Sequence, residues 1–280
     1  MRAAGITVLE DNAVAADMAR AIVKKLLDAG FNVSIYPRVE GLPPRAEAKT
    51  NRSEVSGDFI VTIGGDGTIL RAFQSIRPQD TPILGIGSGE KNFLAMANKE
   101  NYEEAIEAVI EGKYFVKREM RLDVNVEGRR FPPVLNEVYF ASSLPGKTIE
   151  VHVEIRRSEK RIPIWHDRGD GIIIATPTGS TAYSLSAGGP IVDTSLQAIT
   201  VTPMSLRTHK PSIVLPNSDE VILWAGEKKA EAIIVLDGQI GSKIGRNKEV
   251  FIRKSDKDAY FIVFRNQEMR YVEKTLRIRP

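Results

Sequence analysis

The sequence predicts an α/β domain followed by a β-rich one, and three observations carry that expectation. Strand-like apolar runs alternate with segments of helical period over the first third of the chain. A nearly continuous apolar run, Phe59-Ile60-Val61-Thr62-Ile63, leads straight into Gly64-Gly65-Asp66-Gly67-Thr68, as a strand covered on both faces would. After about Phe115 the pattern changes to short period-two runs punctuated by turn residues. The expected division is 1–114, 115–267 and a final segment, 268–280, which could pack back on the first domain.

Taken in order, Ile6-Thr7-Val8-Leu9 reads as the first strand. From Ala13 to Leu27, the residues Met18, Ile22 and Leu26 recur at helical spacing, and Gly30 closes the helix. Phe31 to Tyr36 is a second strand, and the polar stretch from Pro37 to Gly57 a loop or poorly ordered helix. Phe59 to Ile63 and Pro82 to Ile86 are the next strands, and Asn101-Tyr102-Glu103-Glu104 opens a helix with a capping-box arrangement. Such alternation builds a parallel sheet layered with helices. The β-rich part offers Leu122 to Val126, Val134 to Phe140, Ile149 to Ile155, Ile172 to Ala175, Val221 to Trp224, Ile233 to Leu236 and Val250 to Ile252.

Hydrophobic residues make up 42% of the 280 positions and charged residues 27%, enough to bury a real core. No apolar run approaches the roughly 20 residues that cross a bilayer. The start, Met1-Arg2-Ala3-Ala4-Gly5, leads into a strand and does not read as a signal peptide, so a cytoplasmic location is expected. The chain has no cysteine, which excludes disulfides and thiolate metal sites. His152, His166 and His209 are scattered without metal-ligand spacing, so no protein-held metal is expected. A magnesium ion carried on a nucleotide would need few protein ligands. The net charge of +3 suits phosphate-bearing ligands and a solvated surface equally, and no basic–aromatic module argues for nucleic acid.

Ala141-Ser142-Ser143-Leu144-Pro145-Gly146-Lys147-Thr148 satisfies a loose phosphate-loop pattern, but such a loop must open a helix. Ile149 to Ile155 alternates as a strand instead, so a hairpin connection is expected there. Gly85, Gly87 and Gly89 fail the dinucleotide fingerprint, because Glu90 stands where its last glycine should be. The turn from Gly64 to Thr68 differs, since it links a buried strand to Ile69-Leu70-Arg71-Ala72-Phe73, a helix. Adjacent glycines let phosphate oxygens reach the amides. An acid in that place repels phosphate unless it has a task. Taking a proton from an attacking hydroxyl and holding a metal ion are two; simple support of a tight turn is the third.

A second feature follows the strand Ile172-Ile173-Ile174-Ala175, in the string Thr176-Pro177-Thr178-Gly179-Ser180-Thr181-Ala182-Tyr183-Ser184-Leu185-Ser186. Its hydroxyls and amides can bind sugar and phosphate oxygens, and Tyr183 offers a face for a base; a capped, closely packed helix is the other reading.

Together with Leu135-Asn136-Glu137-Val138, these features resemble the NAD kinase family from Gly64 to about Gln239. The glycine turn is shared with lipid kinases and phosphofructokinases; the threonine-rich string paired with Asn136-Glu137 is more specific. The resemblance implies a Rossmann-like α/β domain carrying the turn and a C-terminal β-sandwich. It implies transfer of the γ-phosphate of ATP, or of another donor, to the 2′-hydroxyl of the adenosine ribose of NAD, with Mg2+ or another divalent ion on the donor. Asp66 would be the general base with Gly67 beside it, and Gly64, Gly65, Gly67 and Thr68 would surround the transferred phosphate. Arg71 would reach a phosphate or ligand edge, Asn136 and Glu137 the ribose hydroxyls, Arg168 and Asp170 the other end of the dinucleotide. Thr178, Thr181, Ala182, Tyr183, Ser184, Leu185 and Ser186 would line the adenosine pocket. Lys147 and Gln239 fall near further contact positions, although a hairpin turn explains Gln239 equally. A homodimer or homotetramer is implied as well.

One segment departs from the family. Where the family has Gly-x-Asn-x-Gly and then Leu-Gly, this chain has Gly85-Ile86-Gly87-Ser88-Gly89-Glu90-Lys91-Asn92-Phe93-Leu94. Gly87 stands for the asparagine and Lys91-Asn92 for Leu-Gly. A lipid or sugar kinase, a phosphatase acting on NADP and a non-catalytic NADP sensor share parts of the pattern.

Overall fold

The computed structural model describes residues 2–89, 92–226 and 231–264. They fall into two compact units, one running to Arg118 and resuming at Asp258, the other spanning Glu119–Lys257.

The first unit begins with seven strands: β1 (Ala3–Val8), β2 (Asn32–Tyr36), β3 (Glu47–Ala48), β4 (Phe59–Gly64), β5 (Ile83–Gly87), β6 (Ala97–Asn98) and β7 (Phe115–Glu119). Its helices are α1 (Ala13–Asp28), α2 (Asp66–Ser75) and α3 (Tyr102–Ile110). The sheet runs β3-β2-β1-β4-β5, then a strand from the far end of the chain, Ala259–Val263, then β7, with β6 beside β5. β1 to β6 pair in parallel throughout. Every residue of β4 is buried, which is why its sequence lacks a polar face. On α1 the spacing buries Met18, Ile22 and Leu26, while Asn12 Oδ1 accepts the Ala15 amide at 2.9 Å as an N-cap.

Two expectations change. The capping box at Asn101 does not form: its Oδ1 accepts the Asn98 amide at 2.8 Å, so the side chain closes the preceding turn instead. The stretch from Pro37 to Gly57 is not featureless, since it holds β3 and a 3-10 turn at Arg52–Glu54. The units divide after Arg118 and after Lys257, where the sequence suggested 114 and 267. β7 and Ala259–Val263 hydrogen-bond into the first sheet, a choice of partner that periodicity does not encode. The segment 268–280 lies outside the described residues.

The second unit contains β8 (Leu122–Val126), β9 (Arg129–Arg130), β10 (Glu137–Ser142), β11 (Ile149–Arg157), β12 (Lys160–Gly169), β13 (Gly171–Ala175), β14 (Ala198–Met204), β15 (Ile213–Pro216), β16 (Glu220–Ala225), β17 (Ala232–Leu236), β18 (Ile240–Ile244) and β19 (Val250–Lys254). The returning strand of the first unit is β20 (Ala259–Val263). One sheet runs β15-β14-β13-β10-β17-β18 and the other β12-β11-β16-β19-β8-β9. Both contribute to a single apolar core, with Val138, Phe140, Ile172 and Ile174 from the first, and Val124, Val151, Val153 and Leu223 from the second. That is a β-sandwich. The alternation of β11, buried at Ile149, Val151, Val153 and Ile155, is the half-buried pattern its sequence announced.

The segment between β10 and β11 is not a hairpin. β10 pairs with β13 and β17, β11 with β12 and β16, so residues 143–148 carry the chain from one sheet to the other. Among the described residues, no helix is long and apolar enough to cross a membrane.

Candidate functional site

The glycine turn of the first unit stands between β4 and α2. Gly65 caps the helix without a side-chain bond; the Thr68 amide donates to the Gly65 carbonyl at 2.9 Å, and the helix start offers an anion the positive end of the helix dipole. Gly64 must be glycine, because a Cβ there would lie 2.4 Å from Thr68 Oγ1. Asp66 is half-buried and accepts two amides, Phe93 N on Oδ2 and Leu94 N on Oδ1, each at 2.9 Å. The carboxylate thus fixes both its own orientation and the backbone of the divergent segment. Arg71, one turn into α2, is exposed.

That segment rebuilds itself around a missing side chain. A Cβ on Gly87 would lie 2.3 Å from Asn92 Nδ2, so the Asn92 amide fills the space that an asparagine at 87 would need. Asn92 Nδ2 donates to the Gly89 carbonyl at 2.8 Å and its Oδ1 is buried. Lys91, the extra charge of this stretch, lies outside the described residues.

In the second unit the chain enters β10 through Asn136 and Glu137. Three successive amides, Leu135, Asn136 and Glu137, donate to the Asp237 carboxylate at 3.0, 2.7 and 3.3 Å. Thr176 reinforces the same peptides, its Oγ1 donating to the Leu135 carbonyl at 2.6 Å and its amide to the Asn136 carbonyl at 2.9 Å. Gly179 permits the closest approach of all, since a Cβ would stand 2.0 Å from the Asn136 carbonyl oxygen. With the backbone so held, the side chains are left over: Asn136 Oδ1 and Glu137 Oε2 are buried without a hydrogen-bond partner. Buried polar atoms of that kind call for a ligand or an ordered water. Burial, and secondly the charge of Asp237, push the Glu137 carboxyl up from 4.5 to about 8, against the Tyr183 amide that bonds it. At neutral pH it is a protonated acid that can donate as well as accept.

The threonine-rich string divides by exposure. Thr178 and Ser184 are buried with their hydroxyls committed, Thr178 to Glu119 Oε2 at 3.2 Å and Ser184 to Thr202 Oγ1 at 2.9 Å. Ser180 likewise donates to the Pro177 carbonyl and accepts the Val192 amide. All three hydroxyls are thus engaged within the protein, those of Thr178 and Ser184 included. Thr181 is half-buried, its hydroxyl donating to the Thr178 carbonyl at 3.3 Å, and Ala182 caps the short helix Tyr183–Ser186. Tyr183, Leu185 and Ser186 are exposed, and the Tyr183 ring stands edge-on to Tyr139 at 5.5 Å. Burial, then the charges of Tyr183 and Asp170, raise the Tyr139 phenol, which sets Asp170 in the same neighbourhood. Arg168 is half-buried on β12. Lys147 is exposed in the turn joining the two sheets. Gln239 closes the β17–β18 hairpin, its amide on the Leu236 carbonyl at 2.9 Å, with Asp237 and Gly238 at φ 49° and 63°.

Two residues of consequence escaped sequence reasoning. Asp237 precedes Gly238 and reads in sequence as part of the hairpin turn before Gln239, and Asn92 reads as part of the segment that departs from the family. The histidines also need correction: His152 and His166 come together with Glu150, their ligating atoms all within 4.8 Å of one another. No other such three-residue group occurs among the described residues.

A parallel α/β sheet with an acid-bearing glycine turn at a helix start, joined to a β-sandwich with buried acceptors beside a hydroxyl-rich turn, defines a nucleotide-handling phosphotransferase. The chain belongs to the ATP-NAD kinase family. The family's N-terminal domain model matches residues 3–114 and its C-terminal domain model residues 135–264. An NAD kinase of Methanothermobacter thermautotrophicus is 37% identical over 260 residues, covering 92% of this chain and 90% of that protein. A bifunctional NADP phosphatase/NAD kinase of Methanocaldococcus jannaschii is 33% identical over 264 residues, covering 92% of this chain but 44% of that protein. The crystal structure of an NAD kinase from Archaeoglobus fulgidus in complex with ATP superposes with a TM-score of 0.79 at 28% identity, over 99% of both chains.

Proposed function

We propose that this NAD kinase uses Asp66 as the general base that takes the proton of the 2′-hydroxyl on the adenosine ribose of NAD. The oxygen so freed attacks the γ-phosphorus of ATP, and ADP leaves. Catalysis in this class rests on positioning and electrostatics. The amides of the glycine turn receive the transferred phosphoryl group, and the magnesium ion arrives as part of the nucleotide substrate. Asn136 and Glu137 hold ribose hydroxyls, a task suited to one acceptor and one protonated acid. Tyr183 and Ser186 meet the adenosine end, Arg168 and Asp170 the remainder of the dinucleotide, and Arg71 a phosphate.

The observation that carries this reading is the pair of buried, unpartnered oxygens, Asn136 Oδ1 and Glu137 Oε2. A phosphatase acting on NADP is less well supported, since more than half of the bifunctional relative has no counterpart in this chain. A homodimer or homotetramer in the cytoplasm is the expected setting, which size-exclusion chromatography with light scattering tests for assembly. The function test is NADP formation from NAD, ATP and magnesium. Asp66→Asn should lower turnover roughly 100- to 10,000-fold, with the unfolding midpoint little changed. Unaltered turnover removes Asp66 from the chemistry.

A further inference from the structure

The outer face of the β11–β12 pair carries a cluster that the kinase reaction does not use. Glu150 and His152 are two residues apart on β11, and so share a face opposite to the buried Val151 and Val153. His166 of β12 is the direct register partner of His152. Antiparallel pairing thus joins two imidazoles that are fourteen positions apart in sequence. His166 Nε2 lies 2.8 Å from Glu150 Oε1 and His152 Nε2 lies 4.0 Å from the same oxygen. The His152 ring is stacked between His166, at 4.0 Å and 12°, and Trp224, at 4.7 Å and 8°. Trp224 fixes one imidazole, while the other is 60% exposed at its side chain and is held only by the Glu150 contact and the stack on His152.

We propose that Glu150, His152 and His166 bind a zinc-type divalent cation, with water completing the coordination. Such an ion takes nitrogen and carboxylate ligands at roughly 2.0–2.2 Å, which places the ligand atoms about 3.3 Å apart. That spacing lies between the two observed distances of 2.8 and 4.0 Å, so a rotation of His166 and a small shift of Glu150 complete the set. Two imidazoles and one carboxylate suit zinc, nickel or copper; magnesium prefers an all-oxygen shell. The ion would also clip β12, which is the edge strand of its sheet and has a neighbour on one side only.

The test uses the full chain with any affinity tag removed, stripped with EDTA and then titrated with zinc chloride by calorimetry. The result expected is saturable binding of about one ion per chain, and a thermal unfolding midpoint that rises with zinc concentration. His166→Gln and Glu150→Gln should each weaken binding at least about tenfold, and His166→Gln should unfold in EDTA at the same temperature as the parent. His209→Gln, which alters the one remaining histidine, should bind zinc as the parent does. No saturable binding, binding untouched by His166→Gln, or binding lost with His209→Gln would each overturn the proposal. Because His166 is so exposed, that variant decides the question even where Glu150→Gln fails to fold.

Discussion

Glu137→Gln separates the cost of burying an acid from the shape of the residue that is buried. The carboxyl is raised from 4.5 to about 8 by burial beside Asp237. Below pH 4.5 it is protonated in both the folded and the unfolded chain and contributes nothing to the pH dependence. Between 4.5 and 8 the folded chain retains the proton that the unfolded chain has lost, so stability falls as pH rises, by about 1.36 kcal/mol per pH unit. Above 8 both states are ionised and the loss is complete, on the order of 5 kcal/mol. Glutamine keeps the volume and most of the hydrogen bonding but cannot ionise. Urea unfolding of both proteins without ligand, from pH 4.5 to 9 at constant ionic strength, measures the difference directly. The glutamine variant should gain on the parent steadily across the window and then hold a constant advantage. Parallel profiles would mean that Glu137 titrates like an exposed carboxyl, and the account of a protonated, hydrogen-bond-donating acid would fall with it.

Other perturbations probe the supports of the two site regions. Asp237→Ala strips the acceptor from three buried amides and should cost about 3–5 kcal/mol in chemical denaturation. NAD binding should weaken in the same variant, because the peptides of Asn136 and Glu137 lose their anchor. Gly87→Asn restores the residue usual in the family and should destabilise by about 1–2 kcal/mol as its side chain meets Asn92. Adding Asn92→Gly should return most of that loss; additive effects in this double-mutant cycle would show that the two positions do not share one space.

Much of the first unit was legible because its signals are local. β4 is apolar at all but Thr62, α1 repeats at 3.6 residues, and the glycine turn falls where strand gives way to helix. β12 was not legible: it lies at an edge, with half of its residues exposed and one buried, so no alternation marks it, and Pro163 sits where its register with β11 slips. β14 was hidden by Pro203 near its end and by Thr200 and Thr202, which break the apolar run that marks β13. Within the candidate site, Asn136 and Glu137 carry no periodic signal and were found through resemblance alone. The buried hydroxyls of Thr178 and Ser184 look in sequence like that of the exposed Ser186, because sequence gives residue type and not direction. Glu150, His152 and His166 required a strand register that only folding supplies.

The placement of β20 between β5 and β7 has a consequence for synthesis on the ribosome. β7 leaves the ribosome long before β20 does, with the entire sandwich of Glu119–Lys257 in between. Until Ala259 emerges, the first sheet lacks an interior strand: β6 already pairs with β5 at Ile86 and Gly87, but the stretch of β5 around Ile83 has to wait for Phe261. Completion of the sheet is therefore a late, long-range event, of the kind that slows folding and leaves intermediates prone to pairing with the wrong chain. Truncation after residue 118 would halt the polypeptide at that intermediate and would not release a finished α/β domain.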